Sequence, residues 1–215
     1  MDVTGIVLAG GKNLRLGRNK AIEKVGGVTL IGRVVERLQQ VCGDIIIVNA
    51  TTPKELPELP GTRSVTDLYA EGGPLGGIYA GLTASRTDLN IAVACDMPFL
   101  SVKLLRHMLE LADGYDAVVP RLQNGMIESL HCVYKRSCIP AMKARLDSGR
   151  LKIHALLQEL KVRYIEEGEC QQYDSELLSF FNINRQTDLD LAALLADLGY
   201  AGQLRGDAVR WEPWE

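Results

Sequence analysis

Three short runs, GIVLA at residues 5–9, DIIIVNA at 44–50 and NIAVACDMPF at 90–99, are apolar at nearly every position and do not alternate. A strand of that kind is buried on both faces, which is the condition of a parallel sheet covered by helices on each side. Between the first two runs, Leu30, Val34, Val35, Leu38 and Val41 recur at helical spacing, so the chain begins with a βαβ unit. A further helix is expected near Gly77–Ser85. Ser101 is placed to cap another that carries Leu104, Leu105, Met108 and Leu111. DAVVPRL (116–122) and MIESLHCVY (126–134) flank Asn124-Gly125, a hairpin signal that adds an antiparallel element. Residues 139–160 read as two short helices broken near Gly149, 161–167 as an edge strand, and FFNINR (180–185) as a strand. Thr187 reads as the cap of a helix with Leu189, Leu191, Leu194 and Leu195. The expected fold class is α/β, three-layered and Rossmann-like, with a mostly parallel sheet.

At 215 residues the chain suits a single domain, taken as 1–199, followed by a tail at 200–215 in which the patterning dissolves. The net charge of −3 argues against sequence-independent nucleic-acid binding, which needs a broad basic face. No run is long enough for a membrane span and no secretory leader is visible, so a cytoplasmic location is expected. The five cysteines are an odd number without a CxxC pair, which fits reduced thiols and neither a disulfide framework nor a zinc site.

Chemistry concentrates in the loop after the first strand. Between Val3 and Ile22 there is no carboxylate, yet Lys12, Arg15, Arg18 and Lys20 all fall there, beside Gly10, Gly11 and Gly17. Glycines let backbone N–H groups approach a ligand and cations neutralise it, so the loop suits a chain of phosphates. The spacing from Gly11 to Gly17, with Arg18 next, excludes a Walker A loop. Gly10-Gly11-Lys12 likewise excludes the dinucleotide fingerprint. Downstream, Asp96 ends a buried strand, while Asn49 and Asp67 end predicted strands or follow them closely. Ligands of open α/β sheets gather at those carboxyl ends. Local capping is the competing reading for Asp67 and Asp96, and strand termination for the 182–184 pair. His107 and His154 read as surface or boundary positions on amphipathic helices; His131 lies in IESLHCVY.

The loop matches LAGGxSxRMGxxK, and further motifs follow in order: VNA at 48–50, TD at 66–67, GGPLGGI at 72–78, ACDMP at 94–98 and NIN at 182–184. In these the chain resembles the molybdenum cofactor guanylyltransferases, nucleotidyltransferases with a fold of the nucleotide-diphospho-sugar transferase type. It departs from the pattern at Asn13, Leu16 and Asn19, and has Glu128-Ser129-Leu130 where relatives often carry a His-Pro or Glu-Pro pair. The resemblance implies GTP contacts from the Leu8, Ala9, Gly10 and Gly11 backbone, from Lys20, Asn49 and Asp67, and from the Gly73-Pro74-Leu75 loop that selects guanine. It implies Mg²⁺ on Asp96, with Mn²⁺ as the alternative ion, and catalysis by Arg15, Lys20 and Asp96. Asn182 and Asn184 would face the acceptor. The implied reaction moves GMP from GTP to the phosphate of a molybdopterin-type acceptor, with transient contact to molybdoenzyme maturation proteins and with neither nucleic acid nor membrane as partner. The rivals are the same fold using CTP, cobinamide phosphate or a sugar phosphate, and a non-catalytic GTP-binding module that delivers cofactor.

Overall fold

The computed structural model describes residues 2–10, 19–50, 56–69 and 71–198. Strands β1 (Val3–Leu8), β4 (Asp44–Asn49), β5 (Thr62–Thr66), β6 (Leu89–Ala94), β7 (Ala117–Arg121), β8 (His131–Lys135) and β9 (Val162–Glu166) form one sheet. Their order across it is β5-β4-β1-β6-β8-β7-β9. All neighbours pair in parallel except β8, which runs antiparallel to both β6 and β7. A two-residue ladder of β2 (Lys24–Val25) with β3 (Val28–Thr29) stands apart, turning through Gly26 and Gly27 at φ 56° and 80°.

The expected alternation of strand and helix is present and produces three layers. On one face, Ile31, Val34, Val35 and Leu38 of α1 (Leu30–Leu38) and Leu104, Leu105 and Met108 of α3 (Val102–Glu110) pack on Val7, Ile45, Ile47, Ile91 and Val93. On the other, α2 (Gly73–Ala84), α4 (Ile139–Asp147) and α5 (Ile153–Leu157) cover Ile6, Ile46, Val48 and Ala92. Opposite faces of β1 therefore feed different layers, which is why its apolar run does not alternate. Helix α6 (Glu167–Cys170) is a single turn after β9, and α7 (Gln186–Asp197) closes a smaller cluster with Val25, Leu30, Phe99, Phe181 and Ile183. Ser101 caps α3 as expected, accepting from the Leu104 N–H at 3.3 Å. No helix among the described residues is long and apolar enough to cross a membrane.

Four expectations are corrected. Residues 180–185 are not a strand: a 3₁₀ turn covers Leu178–Phe180, and the N–H groups of Asn184 and Arg185 both donate to the Asp188 carboxylate at 2.7 Å. Those donors are unavailable to a ladder. For the same reason Thr187 is no cap: α7 starts after Arg185, whose N–H donates to the Asp188 carboxylate, and Thr187 lies inside the first turn. The strand expected over 126–134 starts only at His131, because the Ser129 and His131 N–H groups turn back onto the Ile127 and Glu128 carbonyls. The GGPLGGI segment is mostly helix, since α2 begins at Gly73, with Pro74 in the first turn, where its missing N–H costs nothing.

Candidate active site

The carboxyl ends of β5, β4, β1 and β6 are tied side by side. The Asp67 N–H donates to the Asn49 carbonyl (2.8 Å), Ala9 N–H to Val48 (3.0 Å) and Cys95 N–H to Leu8 (3.2 Å). Asp67, Asn49, Gly10 and Asp96 thus stand in a row along one edge of the sheet, one per strand end. Gly10 fits there because it has no side chain: a Cβ would lie 3.0 Å from the Ala50 nitrogen and force the two strand ends apart.

At the β6 end three polar side chains converge. Lys20 sits in the 3₁₀ turn Lys20–Ile22, which Asn19 caps by accepting from the Ala21 N–H (3.3 Å). Its Nζ donates to Asp96 Oδ2 at 3.2 Å and to Asn184 Oδ1 at 2.8 Å. The Lys20 and Asp96 side chains are only 13% and 20% exposed, so water screens this pair weakly. Asn184 is delivered by the backbone: the Ile183 N–H donates to the Asp96 carbonyl at 3.1 Å, and the buried Asp188 carboxylate fixes the following turn. Asp188 is a positioning residue the sequence reading missed. Its signal was a carboxylate three residues after Arg185, which is capping-box spacing.

The expected pair of asparagines separates. Asn184 joins the cluster, whereas Asn182 turns its amide onto the Phe180 carbonyl (3.1 Å). Gly73, at φ 56°, and Pro74 are exposed at the start of α2, but Leu75 is wholly buried in the sheet's second face, so its side chain packs the core. Leu8 and Ala9 are also buried, and the Ala9 N–H is committed to Val48. Gly11 and Arg15, with the rest of 11–18, lie outside the described residues, as does the 200–215 tail.

Asp67 is partly buried, and desolvation holds its carboxyl above the usual carboxylate range while the Tyr69 N–H (2.9 Å) pulls it back. Burial also pushes Glu128 up to about 7 and the fully buried His131 down to about 4. Neither ring nitrogen of His131 has a hydrogen-bond partner, and the ring meets Phe180 edge-on at 5.0 Å between centroids. It is a neutral core residue. His107 bonds Glu169 (2.8 Å) and stacks on Tyr173. None of the five cysteines is in a disulfide, and burial raises Cys42, Cys138 and Cys170 to about 12.

The donor set fits a hard cation. Asp96 and Asn184 present a carboxylate and an amide oxygen that already converge on one ammonium. No group of three His, Cys, Asp or Glu side chains able to hold a metal occurs among the described residues. An ion here would take its remaining ligands from phosphate and water, as Mg²⁺ commonly does.

A family model described as the MobA-like NTP transferase domain matches residues 5–164. The chain belongs to the MobA-like NTP transferase family. A Desulfosudis oleivorans protein named molybdenum cofactor guanylyltransferase is 39% identical over 194 residues, covering 88% of this chain and 94% of the relative. A Pelotomaculum thermopropionicum protein bearing the same name, qualified as probable, is 35% identical across 95% of this chain and 98% of its own length. Among solved structures, the molybdopterin-guanine dinucleotide biosynthesis protein A of Archaeoglobus fulgidus superposes with TM-score 0.76 at 27% identity, covering 92% of this chain and all of that one (100%). In this family member, residues of the matched motifs form the row of strand ends and the lysine–carboxylate–amide cluster.

Proposed function

We propose that this protein transfers GMP from GTP to the terminal phosphate of molybdopterin, releasing pyrophosphate and forming a guanine dinucleotide. The observation that carries the reading is the convergence of Lys20, Asp96 and Asn184 at the end of β6, in a chain whose relatives across nearly their whole length are named for this activity.

An oxygen of the acceptor phosphate attacks the α-phosphorus; the new P–O bond forms as the bond to the β-phosphate bridging oxygen breaks. A phosphate monoester is largely ionised near neutral pH, so no general base is required, and the protein's tasks are alignment and neutralisation of charge. Asp96 and Asn184 would hold Mg²⁺, which supplies positive charge against the developing pyrophosphate. Lys20, released from Asp96, follows the phosphates. Gly10, bare beside Ala50, lets the β1 and β4 ends stand side by side, and Asp67 and Asn49 meet the nucleoside on the far side. Asn184 lies between the metal position and the acceptor.

The test is pyrophosphate release from purified protein with Mg²⁺, a molybdopterin acceptor and each of GTP, ATP, CTP and UTP. Release confined to GTP is the expected result. A preference for CTP overturns the guanine assignment, and no release with any nucleotide and acceptor points to a binding module.

A further inference from the structure

One ammonium bridges the two oxygens that the site offers to a hard cation. Lys20 Nζ donates to Asp96 Oδ2 at 3.2 Å and to Asn184 Oδ1 at 2.8 Å, joining the end of β6 to the segment before α7. A magnesium ion bridging the same oxygens would stand about 2.1 Å from each, on the lone pairs that the ammonium takes. Two cations cannot share that space. The Lys20 and Asp96 side chains are 13% and 20% exposed, so little water is present to screen one positive charge from the other. Ammonium and ion are therefore alternatives at this pair of oxygens.

The local structure lets the side chain leave while the backbone stays. Lys20 opens a 3₁₀ turn held by the Asn19 side chain on the Ala21 N–H (3.3 Å) and by the Glu23 N–H on the Lys20 carbonyl (3.0 Å). Ala21 is buried, and the Leu30 N–H donates to the Glu23 carbonyl at 2.8 Å, which ties the turn to the start of α1. The movable part is the four-carbon stem. What can draw its ammonium off one carboxylate is an anion of higher charge, and a triphosphate on the loop after β1 is such an anion. Its departure leaves the Asp96 carboxylate uncompensated in a half-buried place, which is unfavourable until another cation arrives.

We propose that Lys20 is a tethered stand-in for the divalent ion: its ammonium holds the Asp96 and Asn184 oxygens together against free metal until nucleotide phosphates draw it away, so the ion enters with the nucleotide and not before it. This inference rests on the GTP-dependent reading above and adds an order of binding to it.

The test needs neither acceptor nor turnover. Mn²⁺ binding without nucleotide, read from the loss of the free-ion electron paramagnetic resonance signal, is measured for the wild type, Lys20→Met, Asp96→Ala and the double variant. Methionine keeps most of the stem and removes the charge. Lys20→Met should bind Mn²⁺ about tenfold or more tightly than the wild type, the worth of a hydrogen bond between charged groups. Adding Asp96→Ala should abolish that gain. An unchanged or weaker affinity in Lys20→Met overturns the proposal, as does a gain that survives Asp96→Ala. Should Lys20→Met not fold, the wild type decides: acylation of Lys20 by an amine-reactive ester, followed by mass spectrometry, should quicken at saturating Mn²⁺ as the ion displaces the ammonium. A rate indifferent to Mn²⁺ refutes the exchange. The functional reading fails by a different result, the absence of pyrophosphate release with GTP and acceptor, which an unchanged Mn²⁺ affinity does not entail.

Discussion

His131 gives the molecule an acid-sensitive core whose size can be worked out. Its ring is fully buried with both nitrogens unpartnered, and burial lowers its pKa from 6.5 to about 4. In the unfolded chain it titrates near 6.5, so between pH 6.5 and 4 the unfolded state binds more protons and stability falls as pH falls. The full difference of about 2.5 units is worth about 3.4 kcal/mol at 1.36 kcal/mol per unit, of which about 2 kcal/mol is reached by pH 5. Glu128 works in the opposite direction. Its folded pKa is raised from 4.5 to about 7, so its burial penalty is present at pH 8 and relieved on acidification, by about 2.5 kcal/mol at pH 5. The two nearly cancel in the wild type, and a flat stability profile there would be uninformative. Urea unfolding of wild type and His131→Leu at pH 8, 7, 6 and 5 separates them, because Glu128 is common to both. The wild type should lose about 2 kcal/mol relative to the variant between pH 8 and 5. A constant offset between the two curves would refute the claim that His131 is folded in as a neutral ring.

Other consequences are equally direct. Gly81→Ala should destabilise the protein by about 1–3 kcal/mol in urea unfolding, since its Cβ would collide with Ile6 in the layer between α2 and β1. Asp188→Ala should remove the carboxylate that accepts the Asn184 and Arg185 N–H groups at the start of α7 and free Asn184, costing about 1–2 kcal/mol of stability and lowering kcat more than it raises the KM for GTP. Gly10→Ala should weaken GTP binding with little change in helix or sheet content by circular dichroism, because the clash is confined to Ala50 at the strand ends. Removing divalent ions with EDTA should abolish turnover, and titrated Mg²⁺ or Mn²⁺ should restore it in the wild type but not in Asp96→Ala.

Burial on two faces leaves a plain mark in the sequence, so β1, β4 and β6 and the helices between them were readable from apolar runs and helical spacing. Strand β5 was not outlined in that way: it lies at the sheet edge and carries a single apolar residue, Val65, among Thr62, Arg63, Ser64 and Thr66. The FFNINR segment misled because β-branched and aromatic residues there fill the small cluster beside α7 and do not ladder, their donors being claimed by Asp188. Asp96, Lys20 and Asn184 were each nominated from the sequence, but their mutual contact depends on residues 76 and 164 positions apart and could only come from the fold.

The central claim is that the α-phosphorus of GTP stays with the product while the two outer phosphates leave together. Supplying GTP labelled separately at the α and γ positions, with Mg²⁺ and molybdopterin, measures this in one reaction. The account predicts α label in the dinucleotide, γ label in pyrophosphate, and loss of both signals in Asp96→Ala. Recovery of γ label as orthophosphate or on the acceptor would contradict it.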